Sequence, residues 1–192
     1  TAPNVSQNAA LRLAINGYGR IGRCFLRALR ESPIQHNLQV VAINEPANLE
    51  SMTYLTRFDS THGRFPGQVE IGDAALVIDG QTIAVTHAKK PEAVDWRGLD
   101  IDLLIEASGC YGRREELAKF INSGCPRLLL SHPGASSDDV DATIVAGINQ
   151  NSLTGNERLV SAASCTTNAI VPVLDLPDRE IGIDQALPTT LH

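Results

Sequence analysis

The chain has 192 residues, 43% hydrophobic and 20% charged, with a formal net charge of −6. These figures predict an ordinary soluble globule with a sizeable core rather than a disordered chain. Modest acidity with no basic block argues against nucleic acid as a main partner, and apolar runs as short as Leu128-Leu129-Leu130 are too short for a bilayer.

In chain order, Leu11 to Ile15 reads as a strand that ends at Asn16-Gly17. From Arg20 to Glu31, Ile21, Phe25, Leu26 and Leu29 recur at helical spacing. Leu38 to Ile43 is a second buried-type strand, closed by Asn44-Glu45-Pro46. Strand, glycine turn, helix, strand is the unit that builds a parallel sheet. Residues 50–58 read as a short helix, followed by weaker strands at 68–71 and 75–79. Thr82 to Val85 pairs back across Asp79-Gly80 as a hairpin. The parallel pattern then resumes, with strands at 102–107, 127–131, 142–146 and 158–162 and a helix over 113–122. A domain boundary is expected near residue 162, before Ser164-Cys165-Thr166-Thr167-Asn168 and a further helix.

Gly17-Tyr18-Gly19-Arg20-Ile21-Gly22 fits GxGxxG. Gly17 permits the tight turn, Gly19 lets a pyrophosphate approach the backbone, and Gly22 lets the helix pack on the strand. Alone the pattern is weak, because glycines punctuate many turns; its place between a strand and a helix strengthens it. Glu45 ends the second strand, where a carboxylate accepts both ribose hydroxyls and repels a 2′-phosphate, so NAD is favoured over NADP. The alternative is that Glu45 only caps a loop.

The four cysteines, Cys24, Cys110, Cys125 and Cys165, form no CxxC pair and no metal-ligand spacing with the histidines. A reducing, cytoplasmic setting is expected. Cys165 follows a strand and opens a helix, where unpaired N–H groups and the positive dipole end favour a thiolate, although an isolated cysteine is more commonly a small buried hydrophobe. Cys24 and Cys110 are assigned that buried role, and Cys125 a loop position. His192, after Pro188-Thr189-Thr190-Leu191, is on pattern alone an ordinary chain end. His62 lies in a loop, and His36, His87 and His132 carry no signal.

Together these segments converge. Asn16-Gly-Tyr-Gly-Arg-Ile-Gly-Arg23, Ala42-Ile-Asn-Glu-Pro46, Asp59-Ser-Thr-His-Gly-Arg-Phe65, Ala163-Ser-Cys-Thr-Thr-Asn168 and Thr189-Thr-Leu-His192 occur in that order. The sequence resembles the glyceraldehyde-3-phosphate dehydrogenase superfamily from about residue 11 to the last residue. Glu45, Ser131-His-Pro-Gly134, Asp141-Ala-Thr-Ile-Val145 and Asn149-Gln150 make it most similar to the erythrose-4-phosphate dehydrogenase branch.

The resemblance implies a Rossmann-type doubly wound parallel sheet over residues 1–161, followed at 162–192 by the start of a truncated α+β catalytic domain. It implies Cys165 as nucleophile and His192 as its base, with Arg20, Ile21, Glu45 and Ser131 at NAD and Ser164 and Thr166 beside the substrate. The substrate would be a sugar-phosphate aldehyde, with water or inorganic phosphate taking the acyl group, and the full-length enzyme a homotetramer. An NAD-binding module without turnover is the rival reading.

Several residues depart from the pattern. Ala162 and Ala169 replace polar residues or cysteine, Lys89 stands where the branch often has arginine, and the chain stops where the family's substrate domain continues. A fragment of a longer enzyme is therefore expected. Pro177 falls in the helix after Cys165 and Pro188 in the strand leading to His192; a helix-interior proline costs about 3 kcal/mol, so a broken helix is expected there.

Overall fold

A computed structural model describes residues 10–33 and 35–190. Strand β1 (Leu11–Asn16) shows why the sheet is buried on both sides. Leu13 and Ile15 enter one apolar layer and Ala14 the other. A strand apolar on both faces belongs inside a parallel sheet with helices above and below. Helix α1 (Arg20–Glu31) lays Phe25, Leu26 and Leu29 on the first layer, and β2 (Leu38–Asn44) returns parallel to β1. Helix α2 (Leu49–Arg57), capped by Asn48, adds Met52 to the same layer.

The ribbon β3 (Phe58–Asp59) and β4 (Gly63–Arg64) comes next, followed by the antiparallel meander β5 (Val69–Gly72), β6 (Ala75–Ile78) and β7 (Gln81–Thr86). Strand β7 lies parallel to β2. The chain then crosses to the far side of β1 and lays down β8 (Leu103–Glu106), α3 (Arg114–Asn122), β9 (Leu128–Leu130), β10 (Ala142–Thr143) and β11 (Leu159–Ser161). Helix α3 covers the second layer with Leu117 and Phe120, beside Trp96, whose indole N–H donates to the Pro91 carbonyl at 2.9 Å.

The nine strands of the main sheet run in the order β10-β11-β9-β8-β1-β2-β7-β6-β5. Building direction reverses between β1 and β8, and at such a switch point the outgoing loops part and leave a crevice at the carboxyl edge. The sheet is mostly parallel and doubly wound, as the alternation of strand and helix patterns predicts.

Some expectations need correction. The strand expected over 142–146 is shorter, Ala142–Thr143. Ile144 N–H still donates to the Ser161 carbonyl at 2.8 Å, and the chain then turns, with Asn149 Oδ1 accepting from Val145 N–H at 2.8 Å and its Nδ2 donating to Thr143 O at 2.9 Å. Helix α4 (Cys165–Ile181) is unbroken and contains both Pro172 and Pro177. Each proline removes a bond to the carbonyl four residues back, on Asn168 and Val173; both residues are exposed, so water can serve those carbonyls. None of the residues of α4 is buried. Pro188 lies in an exposed stretch with no strand pairing.

At the amino edge of the sheet, before β11, the turn at Thr154–Glu157 closes on its own acid. Glu157 accepts from the Thr154 N–H (3.0 Å) and hydroxyl (2.8 Å) and the Gly155 N–H (2.9 Å). The Thr154 N–H first, then its own N–H and the Thr154 hydroxyl, lower its carboxyl pKa to about 2.

Candidate functional site

The first βα turn is built for close approach. Gly17 adopts φ +89°, and a Cβ there would lie 2.4 Å from Ser108 N, so only glycine lets this turn pass the exit of β8. A Cβ at Gly22 would lie 2.2 Å from the Gly17 carbonyl oxygen, which seats α1 directly on the turn. Gly19 differs: a Cβ there would meet nothing within 4 Å, so the position opens outward. Helices α2 and α4 are capped by side chains, Asn48 accepting from Ser51 N–H (2.8 Å) and Ser164 from Thr167 N–H (3.0 Å). Helix α1 has no side-chain cap and no acid in its first turn. Its N-terminal N–H groups are thus arranged for an anion supplied from outside.

Glu45 stands opposite. Its Oε2 accepts from Tyr18 N–H at 2.7 Å and its Oε1 from Ala47 N–H at 3.2 Å, tying the end of β2 to the glycine turn. A carboxylate has about four acceptor sites, so capacity remains for two hydroxyl donors. The His87 ring Nδ1 holds the Glu45 carbonyl at 2.7 Å. Between these groups lies a cleft of about 300 Å³, lined among others by Gly17, Gly19, Glu45, Lys89, Ser108 and Tyr111.

Beneath the cleft runs a buried polar chain. The Thr86 hydroxyl (2.8 Å) and Ala88 N–H (2.9 Å) donate to Asn44 Oδ1; Asn44 Nδ2 donates to Asn16 Oδ1 (2.8 Å) and to the Ala88 carbonyl (3.0 Å). Asn16 Nδ2 then donates to Glu106 Oε2 at 2.6 Å. Glu106 Oε1 accepts from Ser108 N–H at 2.8 Å and from the Ser108 hydroxyl. Glu106 is 0% exposed. Burial raises its carboxyl above the ordinary range, and the bonds from Ser108 and Asn16 and the nearby His132 pull the other way.

Residues 11–114 match the family model for the glyceraldehyde 3-phosphate dehydrogenase NAD-binding domain. The chain belongs to that family. NAD is the cofactor of this glyceraldehyde 3-phosphate dehydrogenase family domain, and the residues present fit it. The uncapped start of α1 and the open face at Gly19 suit a pyrophosphate, and Glu45 suits a ribose diol. Arg20 and Ile21 project from the first turn of α1, Ile21 half exposed at 50%. Gly22 is buried beneath that turn and serves packing. Ser131 follows β9, two strands from β1, where its N–H donates to the Glu106 carbonyl at 2.9 Å.

Cys165 is the first residue of α4, exposed, on the same carboxyl edge of the sheet. Its strand β11 is three places from β1, a lateral distance of about 14 Å at ordinary strand spacing. The turn into α4 is tight: the buried Ala163 takes φ +61°, a left-handed conformation that costs a non-glycine residue about 1 kcal/mol. Ser161 Oγ accepts from Ala163 N–H at 3.0 Å, and Asn168 Nδ2 bonds the carbonyls of Ala162 (2.7 Å) and Ser164 (2.9 Å). Ser164 serves as the helix cap, its hydroxyl 2.7 Å from Thr167 Oγ1 and 3.4 Å from Thr166 Oγ1. His192 lies outside the described residues.

All four cysteines are free; Cys24 is half-buried, and Cys110 departs from the expected buried role. Cys110 is exposed and lines the cleft rather than entering the core. Cys125 lies in the loop between α3 and β9, as expected, with its side chain in the core, its thiol pushed up to about 12 by burial and donating to the Arg127 carbonyl at 3.2 Å. Sequence reasoning missed Asn16, Asn44 and Glu106 as a unit, along with His87 and Ala163. Only the polar ends of otherwise apolar strands signal the first three.

Among the described residues, no helix is long and apolar enough to cross a membrane.

Proposed function

We propose that this protein oxidises a sugar-phosphate aldehyde with NAD, and that the reaction is erythrose 4-phosphate to 4-phosphoerythronate. Membership of the family supports an NAD-dependent dehydrogenase. The erythrose assignment rests on Glu45, Ser131-His-Pro-Gly134, Asp141 to Val145 and Asn149-Gln150. The observation that carries the catalytic reading is Cys165, exposed at the first position of α4 on the edge of the sheet that holds the cleft.

In this reading Cys165 attacks the aldehyde carbon, forming a carbon–sulfur bond and an oxyanion beside the N–H groups at the start of α4. His192 takes the thiol proton, returns it to the oxyanion to make the hydroxyl, and takes it back as the carbon–hydrogen bond breaks and the hydride leaves. NAD, when bound, supplies the hydride acceptor. Water releases the acyl group from Cys165 and regenerates the thiol. Arg20, Ile21, Glu45 and Ser131 hold the cofactor, and Ser164 and Thr166 flank the substrate. The active protein is a homotetramer in this reading, which light scattering of the full chain tests.

Turnover of erythrose 4-phosphate without inorganic phosphate, lost in Cys165→Ser, is the expected result. Absorbance at 340 nm that rises only with glyceraldehyde 3-phosphate and inorganic phosphate assigns the glycolytic reaction instead. NAD binding with no turnover of either aldehyde leaves a binding module.

A further inference from the structure

The polar chain under the cleft has a direction. One end is fixed by the backbone N–H of Ala88, which must meet an acceptor, so Asn44 Oδ1 has to face it. That orientation turns Asn44 Nδ2 toward Asn16, which must answer with Oδ1 and point its own Nδ2 at Glu106. The other end is fixed by the backbone N–H of Ser108, which also needs an acceptor. Neither backbone donor can be reversed. The group that closes the chain must therefore accept on both sides, and an ionised carboxylate does this where an amide of the same shape does not.

The residues at the two ends, Ala88 after β7 and Ser108 after β8, both line the cleft, as do Asn16 and Asn44 between them. The chain crosses the ends of β7, β2, β1 and β8 in turn, linking strands whose residues lie 28 to 90 positions apart. We propose that Glu106 is a positioning residue for NAD: by accepting from Asn16 and Ser108 at once, it sets the width of the cleft between the exits of β7 and β8. This rests on the cleft being the NAD site.

The test exchanges the polarity of one link and then restores it. In Glu106→Gln, the new amide sets a donor against Asn16 Nδ2 or, if turned, against Ser108 N–H. NAD affinity measured by calorimetry on the full chain is expected to fall about tenfold. In the double variant Glu106→Gln/Asn16→Asp, the amide introduced on β8 keeps its oxygen on Ser108 and donates to the carboxylate introduced on β1, which also accepts from Asn44. Every donor again meets an acceptor, and affinity is expected to return to within about threefold of wild type.

Hydrogen exchange of the Ala88 and Ser108 amides, measured without NAD, should be faster in Glu106→Gln and restored in the double variant. Unchanged affinity in Glu106→Gln, or a double variant that binds no better than the single one, overturns the proposal. If Glu106→Gln fails to fold, a folded double variant with restored affinity supports it and an unfolded one overturns it. A wild-type chain that binds no NAD removes the cleft assignment itself, a result distinct from any of these.

Discussion

A methyl group added at Gly19 would meet no atom within 4 Å, and one at Gly22 would lie 2.2 Å from a carbonyl oxygen in the same turn. The two substitutions should therefore separate binding from folding. Gly19→Ala is expected to weaken NAD binding about tenfold or more by calorimetry while costing no more than about 1 kcal/mol of stability in a urea titration. Gly22→Ala is expected to lower stability by about 2–4 kcal/mol, because α1 must move off the turn. Both glycines were legible in the sequence, since their spacing between a strand and a helix states the turn. Glu106 was not. An acid at the end of an apolar strand reads like any solvated strand end, and only the pairing of β1 with β8 brings Asn16 against it, 90 positions away.

Between elements, the least expected link is Arg27. It projects from α1 and is buried, with its guanidinium donating to the carbonyls of Gly63 (2.9 Å) and Arg64 (3.0 Å) and lying 5.4 Å from the centre of the Phe65 ring. That one side chain holds the β3–β4 ribbon against the helix. Arg27→Met keeps the length and removes the donors, leaving those carbonyls without their partner. A loss of about 2–3 kcal/mol is expected, together with faster proteolysis within residues 58–65. Element types followed the apolar period closely, and α1 spans the residues its spacing predicts. The strand ends were less legible: β10 gives way after Thr143 to a turn tied by the Asn149 side chain, which periodicity does not register. Helix α4 misled in the other direction, because a proline is tolerated where the carbonyl it orphans faces water.

For the molecule as a whole, one buried thiol links stability to alkali. Cys125 ionises near its ordinary 9.0 when unfolded and only at about 12 when folded. Above pH 9 the unfolded chain thus releases a proton that the folded one keeps, so the stabilisation present below that pH is lost as pH rises toward 12. Tyr18, raised by burial from 10.0 to about 12, adds to the upper part of the same window. Urea titrations between pH 8 and 11 should show stability falling with pH, toward a limit on the order of 4 kcal/mol from Cys125. Cys125→Ala, whatever its cost at neutral pH, should flatten the first part of that slope. The sheet order explains why so much chemistry is gathered on one edge: Gly17, Glu45, Ser108, Ser131 and Cys165 each follow the end of a parallel strand. The rim around Gly155 faces away from all of them, and its turn is locked by its own acid. A tether or fluorophore grafted there would hold the protein to a sensor chip with its mouth outward, leaving dinucleotide exchange unobstructed.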